Sequence, residues 1–282
     1  MIDLAYFTPP SQGELGLKAF DPGYTFNADR TVAIGETSVY NQEIIHWQEQ
    51  LHAEGKQGLL LIYQAMDTAG KDSNIRTLFA GVNPQGLDIH SFNTAGKKEL
   101  QYDILHRYHN AVPAKGSIGV FNRSYYEPLI SHYAHNNEDP SLLSGWAKHL
   151  NNFESLLQDN NIRVIKFYLH ISRTEYRRRL AKRLSNPQEH WKLTESDLLT
   201  HANWHNTIAA YQKVISQTHS SKSPWYIIPS NKQWFRDWLI GHIICKTLQQ
   251  MRPRRPQVPP PYTLEDLDAL AQALGQRSSS QR

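Results

Sequence analysis

The segment LLLIYQAMDTAGKDSNIR, Leu59 to Arg76, reads as a buried strand running into a tight loop and then a helix. Leu59 to Tyr63 form an apolar run of strand length, and Gly70 and Lys71 mark the turn. Asp72 or Ser73 is placed to cap a helix carrying Ile75, Leu78 and Phe79 on one face. Such a loop aims backbone N–H groups and a helix N-terminus at one point, which suits a polyphosphate group. Ala69, Gly70, Lys71, Asp72 and Ser73 are therefore the candidate phosphate contacts, with Lys71 reaching the terminal phosphates; the plainer reading of Lys71 is a solvated lysine at a turn.

The segment departs from G-x-x-x-x-G-K-[ST] in two places: Ala65 stands at the first Gly, and Asp72 at the hydroxyl that would bind Mg²⁺. Asp67, inside the loop, would oppose phosphates unless a divalent cation lay between them. That makes it the candidate Mg²⁺ ligand, against the alternative of a turn-forming Asp.

Working outward, Gly116 to Tyr126, GSIGVFNRSYY, is a second short apolar strand that ends abruptly in polar residues. Ligands of open parallel sheets bind beyond the carboxyl ends of the strands, so Asn122, Arg123 and Ser124 would lie beside the Asp67 to Lys71 loop if the two strands are neighbours. Asn122 occupies the place of a second, Mg-orienting acid and cannot neutralise the metal. A third strand, Arg163 to His170, leads into SRTEYRRRLAKRL, where Ser172 and Glu175 have capping-box spacing. Tyr176, Leu180 and Leu184 predict an apolar stripe on this helix, and Arg177, Arg178, Arg179, Lys182 and Arg183 crowd its remaining surface. That density of cations reads either as a solvated face or as a lid closing over phosphates.

Taken together these residues resemble the polyphosphate kinase 2 family, which exchanges phosphate between inorganic polyphosphate and nucleotides. The motifs QAMDTAGKD, GVNPQG, VPAKG, FNRSYYE, FYLHIS and PWYIIP occur in family order, and the resemblance runs from roughly Asp21 to Leu248. It implies Asp67 as Mg²⁺ ligand, Lys71 as phosphate-binding lysine, and Asn122 with Arg123 as the second motif. It further implies Arg179 and Arg183 as lid arginines, and Lys192, Trp225 and Lys232 as nucleotide-side or structural residues. A homo-oligomer is implied as well. The chain departs from the family it resembles at Asn93, where a lysine is usual, at Tyr133, where an arginine is usual, and at Pro128, Tyr176 and Ser73. These changes predict a thinned outer cationic track, with Lys97 and Lys98 as candidate substitutes for the lost lysine.

Strands at Leu59–Gln64, Leu87–Phe92, Ser117–Phe121, Arg163–His170 and Trp225–Ile228 alternate with helices. They predict an α/β, P-loop kinase-like three-layer sandwich: a five-stranded parallel sheet with helices on both faces and a helical lid. The expected organisation is an N-terminal arm over 1–41, a phosphotransferase domain over 42–251 with its lid at about 172–205, and a proline-rich linker and tail over 252–282. A helix from Gln42 to Glu54 leads into the first strand, and one from Trp234 to Gln250 closes the domain. A short amphipathic helix is expected at Thr263 to Leu274, before a Ser/Arg tail.

The 282 residues carry a formal charge of +4, which suits a polyanion. No nucleic-acid module, signal peptide or membrane-length apolar stretch is evident, so neither nucleic acid nor membrane is expected as a partner, and the location expected is cytoplasmic. Cys245 is the single cysteine, and the 14 histidines show no metal-ligand spacing. The expected activity is Mg²⁺-dependent phosphoryl transfer between polyphosphate and nucleoside mono- or diphosphates. The alternatives are an ATP-dependent nucleotide kinase and an impaired or repurposed relative that binds nucleotide or polyphosphate.

Overall fold

Five parallel strands carry the core of the computed structural model, which describes residues 2–10, 15–93, 96, 98–135 and 140–279. In chain order the elements are α1 (Arg30–Glu54), β1 (Gly58–Gln64), α2 (Lys71–Leu78), β2 (Leu87–Ser91), α3 (His106–His109), β3 (Ile118–Asn122), α4 (Glu127–His135) and α5 (Pro140–Asp159). There follow β4 (Ile162–His170), α6 (Arg173–Leu184), α7 (Glu195–Ala202), α8 (Trp204–Thr218), β5 (Trp225–Pro229), α9 (Gln233–Met251) and α10 (Leu264–Ser279). The strand order is β2-β3-β1-β4-β5. Each strand begins and ends within one residue of its sequence expectation.

β1 is buried along its whole length, and in β4 only Arg163 is exposed. Strands that are apolar on both faces need helices on both sides, and the helices divide accordingly. α1, α2 and α9 pack with one another, as do α4, α5 and α8. The sheet is thus the middle layer of an α/β sandwich of the P-loop kinase type.

Below the site, Lys166 on β4 and Glu154 on α5 form a fully buried ion pair at 2.6 Å. Such a pair tolerates desolvation only when its remaining hydrogen bonds are met. Here Lys166 also donates to the Thr218 carbonyl at 2.7 Å, while Glu154 accepts from the hydroxyls of Tyr125 (2.8 Å) and Tyr126 (2.5 Å). The chain leaving β3 is therefore anchored two residues beyond Arg123. Trp225 belongs to this core: it is fully buried and donates Nε1–H to Thr218 Oγ1, which gives it a structural role.

Several expectations are corrected. The helix expected to begin at Gln42 begins at Arg30, where Asp29 accepts from the N–H groups of Thr31 (2.8 Å) and Val32 (2.9 Å). The boundary drawn at 41/42 thus falls inside α1. Ahead of it, Ile2, Phe7, Leu15 and Leu17 are buried in the main core, so these arm residues are part of the packed body. On α6, Tyr176 is buried and Leu180 partly so, but Leu184 is exposed and does not complete the stripe. The capping box at Ser172 is half made. Its hydroxyl accepts from Glu175 N at 3.2 Å, but the Glu175 carboxylate turns to Arg178 and Arg179. The C-terminal helix extends to Ser279, five residues past its expected end. Among the described residues no helix is long and apolar enough to cross a membrane.

Candidate active site

β1 and β3 are hydrogen-bonded neighbours with Tyr63 opposite Asn122, so the loop after one strand meets the polar run after the other. Arg123 N donates to Tyr63 O at 3.0 Å, and both Arg123 (φ 66°) and Thr68 (φ 64°) adopt left-handed backbone conformations that non-glycine residues seldom take. Two strained residues thus flank one point, a concentration found at functional sites. There Arg123 Nη2 pairs with Asp67 Oδ1 at 2.7 Å, and Asn122 Nδ2 donates to Asp72 Oδ1 at 2.5 Å. The sequence-predicted Asp67, Asp72, Asn122 and Arg123 are therefore brought together.

Burial alone would raise the Asp67 carboxyl, but the charges of Lys71 and Arg123 outweigh it and hold the group below its ordinary value. Lys71 opens α2 and is buried, with Nζ on the Ala65 carbonyl at 3.1 Å. Its ammonium is pushed down by burial, against the opposing pull of Asp67. Asn74 N donates to Gly70 O, so the N–H groups of Lys71, Asp72 and Ser73 precede the first helical hydrogen bond. Ala69 is buried behind them, and Gly70 takes φ 100°.

The two arginines expected on a lid, Arg179 and Arg183, have different surroundings. Arg179 is buried with its fork on backbone carbonyls: Nη1 donates to Thr68 O (2.9 Å) and Ala69 O (3.1 Å), and Nη2 to Ser230 O (2.6 Å) and Asn231 O (3.2 Å). Its Nε donates to Glu175 at 2.8 Å, so in this arrangement it grips the back of the loop. Arg183, one turn further, has no hydrogen-bond acceptor among the described residues and lines an open groove.

That groove, about 1230 Å³, is bounded by Gly70, Asp72 and Ser73 on one side and by Arg178, Arg179, Lys182, Arg183 and Lys192 on the other, with Arg30, Arg76 and Lys232 at its edges. Lys192 pairs with Glu189 at 2.8 Å and lies over the exposed Trp191 ring. A smaller pocket of about 390 Å³ is lined by Asp67, Arg107, Arg123 and Glu127 together with the apolar surfaces of Phe92, Tyr108, Ile130, Leu199 and Tyr211. The loop after β1 contributes to both, Ala65 to Asp67 lining the pocket and Thr68, Gly70, Asp72 and Ser73 the groove.

Sequence reasoning passed over three residues. Arg107 on α3 reaches the smaller pocket, donating to Asn93 O at 3.0 Å and lying over the rings of Phe92 and Tyr108. It supplies a cation where Asn93 does not. Glu127 follows the N-R-S run; burial raises its carboxyl, and Gln64 Nε2 donates to it at 2.7 Å in the amide orientation its neighbours require. Its place in FNRSYYE was the available signal. The third, Arg236 on α9, lies beneath Gly70 and left no local signal.

Of the departures, Pro128 and Asn93 line the smaller pocket, but Tyr133 lines neither cavity. Its hydroxyl donates to Gln217 at 3.0 Å, and Lys213 lies 3.9 Å from its ring centroid. Thr94, Ala95 and Lys97 fall outside the described residues, and Lys98 lines neither cavity.

Residues 28–256 match the family described as Polyphosphate kinase 2. The chain belongs to the polyphosphate kinase 2 family. It is 39% identical over 247 residues to the Meiothermus ruber protein named AMP/ADP-polyphosphate phosphotransferase, covering 87% of this chain and 92% of that one. It is 35% identical over 243 residues to the Rhodopseudomonas palustris ADP-polyphosphate phosphotransferase, covering 80% and 83%. The crystal structure of polyphosphate kinase 2 from Arthrobacter aurescens TC1 superposes with a TM-score of 0.89 at 30% identity, covering 96% of each chain. In this member of the polyphosphate kinase 2 family, the neutral Asn122 stands beside the loop, its Nδ2 on Asp72.

Proposed function

We propose that the protein is a Mg²⁺-dependent phosphotransferase that moves a terminal phosphoryl group between inorganic polyphosphate and a nucleoside mono- or diphosphate. The observation that carries this reading is the loop from Asp67 to Ser73, whose residues line both a cationic groove and a ring-lined pocket. A polyanion without apolar surface suits the groove. A nucleoside suits the pocket, whose volume falls in the usual small-ligand range and whose rings offer faces for a base. Arg107 and Arg123 then face the acceptor phosphate, and the reacting ends meet over the loop.

The donor set fits a Mg²⁺ ion. Asp67 offers a carboxylate, while Asn122 Oδ1 and Thr68 Oγ1 are buried oxygens without a partner among the described residues. Magnesium is commonly held by one or two carboxylates together with substrate phosphates. When bound, the ion neutralises phosphate charge that the neutral Asn122 leaves unbalanced. Lys71 and the N–H groups of Gly70 to Ser73 hold the transferring phosphates in line. Arg123 and Arg183 stabilise charge spread over the equatorial oxygens. The attacking atom is a phosphate oxygen, ionised near neutral pH, so the chain needs no general base and acts by positioning and electrostatics.

The test is chromatographic detection of nucleotide product from purified protein, Mg²⁺, long-chain polyphosphate and AMP or ADP, with Lys71→Met as control. Lys71-dependent ADP or ATP supports the reading and fixes the acceptor level, on which the two relatives' names differ. Turnover with ATP as donor and none with polyphosphate would replace it with a nucleotide kinase.

A further inference from the structure

Arg236, on the first turn of α9, has a relative exposure of 1%. Its Nη1 donates to Ala69 O at 3.2 Å, its Nη2 to Ser73 Oγ at 3.0 Å, and its Nε to Asp237 Oδ1 at 2.9 Å. Asp237 Oδ1 in turn accepts from Asn74 Nδ2 at 2.6 Å, and Ser73 Oγ donates to Gly70 O at 3.0 Å. Among the described residues, every hydrogen bond of this guanidinium outside α9 is therefore with the turn that opens α2. A Cβ on Gly70 would overlap Arg236 Nη1, so glycine is required there both by its positive φ and by the cation packed beneath it.

A buried Arg–Asp pair is a poor source of stability compared with apolar packing, and its worth lies in fixing geometry. The geometry fixed here is that of an anion site. A loop presents its N–H groups to phosphate only if its carbonyls point elsewhere. The Ala69 carbonyl is taken from behind by two guanidiniums, those of Arg179 and Arg236. Arg179 arrives from α6 and can follow that helix, whereas Arg236 is rooted in a helix packed against α1 and α2.

We propose that Arg236 is a positioning residue for phosphoryl transfer: acting with Ser73, it holds the Ala69–Ser73 turn so that its N–H groups converge on the transferring phosphate. The inference rests on the phosphotransferase reading above. Arg236 itself touches no substrate; it acts through the loop and places a fixed positive charge behind it.

The test compares wild type, Arg236→Lys, Ser73→Ala and the double variant. Three quantities are read: kcat, KM for the nucleotide, and the rise in melting temperature on adding inorganic tripolyphosphate. Arg236→Lys keeps the charge and loses the fork, and is expected to lower kcat roughly ten- to a hundredfold, the scale of a misplaced reacting group. Nucleotide KM should stay within about threefold, because the smaller pocket is untouched, and the tripolyphosphate response should shrink. Ser73→Ala should show the same pattern with a kcat loss on the order of threefold, one hydrogen bond's worth. The double variant should be no worse than Arg236→Lys alone, since both cut the same contact.

A folded Arg236→Lys protein with wild-type kcat overturns the proposal. So does one that melts earlier while kcat and the tripolyphosphate response stay intact, which is what a merely structural arginine predicts. Should Arg236→Lys fail to fold, Ser73→Ala decides: unchanged kcat and response reject the idea, and reduced values support it. If wild type itself shows no turnover, the phosphotransferase reading has failed instead, and the tripolyphosphate response alone decides the role of Arg236.

Discussion

Arg123 Nη2 donates to Asp67 Oδ1 at 2.7 Å across the carboxyl ends of two neighbouring strands, and the arginine holds a left-handed backbone conformation to do so. Lys71 and Arg123 together keep the Asp67 carboxyl low against a burial that would raise it. The sign follows from linkage. The unfolded carboxylate titrates near pH 3.9, so the pair's contribution is fully present above about pH 4 and is lost as pH falls through the lower folded value. Denaturant unfolding of wild type and Asp67→Asn from pH 7 downward should show a constant gap that closes only below about pH 4. A gap already closing above about pH 5 would contradict a lowered Asp67.

Lys71→Met should cut turnover by at least roughly a hundredfold, the scale of losing a preorganised charge partner in the transition state. Methionine matches the lysine stem, and the position is buried, so circular dichroism should report an unchanged fold. Near-normal turnover in the folded variant would remove Lys71 from the mechanism.

Arg179 and Arg183 lie one turn apart on α6 yet should respond differently to alanine. Arg179 gives its donors to Glu175 and to four backbone carbonyls, so its removal leaves buried acceptors unmet, each costing about 1–3 kcal/mol. Arg179→Ala is expected to lower both melting temperature and kcat. Arg183→Ala should lower kcat at nearly constant melting temperature, since its guanidinium faces the open groove. Equal losses of stability in the two variants would show that Arg183 is held as tightly as Arg179.

The sheet was legible because β1 and β3 carry apolar runs that give way to polar residues at Gln64 and Asn122, and β4 is largely apolar apart from Arg163 and Lys166; such segments have few alternatives to a buried parallel strand. The loop was legible for the same reason, since Gly70-Lys71 at the end of a strand has a specific geometric use. The first half of α1 was not. Thr31, Val32, Gly35, Thr37 and Val39 are weak helix formers, and the helix is held by packing on α9 that no local window contains. Arg179 looked like an outward lid cation because periodicity shows which residues share a face and not what that face meets. Arg236 was hidden more deeply: it lies more than 160 residues from the loop it touches, in a helix whose sequence reads as ordinary closing structure.

His170, the last residue of β4, gives the fold an acid limb separate from that of Asp67. Burial pushes its imidazole down to about 4 from 6.5, against a smaller upward pull from a hydrogen bond with the Phe20 backbone and from Asp21. The folded state therefore keeps this ring neutral where the unfolded chain protonates it. Stability is unaffected above about pH 6.5, declines as pH falls below that value, and reaches its full loss near pH 4, by about 3 kcal/mol in order of magnitude. His219 and His242 are also lowered by burial and add to the same limb. Denaturant midpoints measured from pH 7.5 to 4.5 should thus fall steadily for wild type and less steeply for His170→Gln, which keeps a donor but does not titrate. Because His219 and His242 remain in the variant, the slope should be reduced and not abolished. Parallel curves for the two proteins would mean that His170 takes up its proton in the folded state as readily as in the unfolded chain.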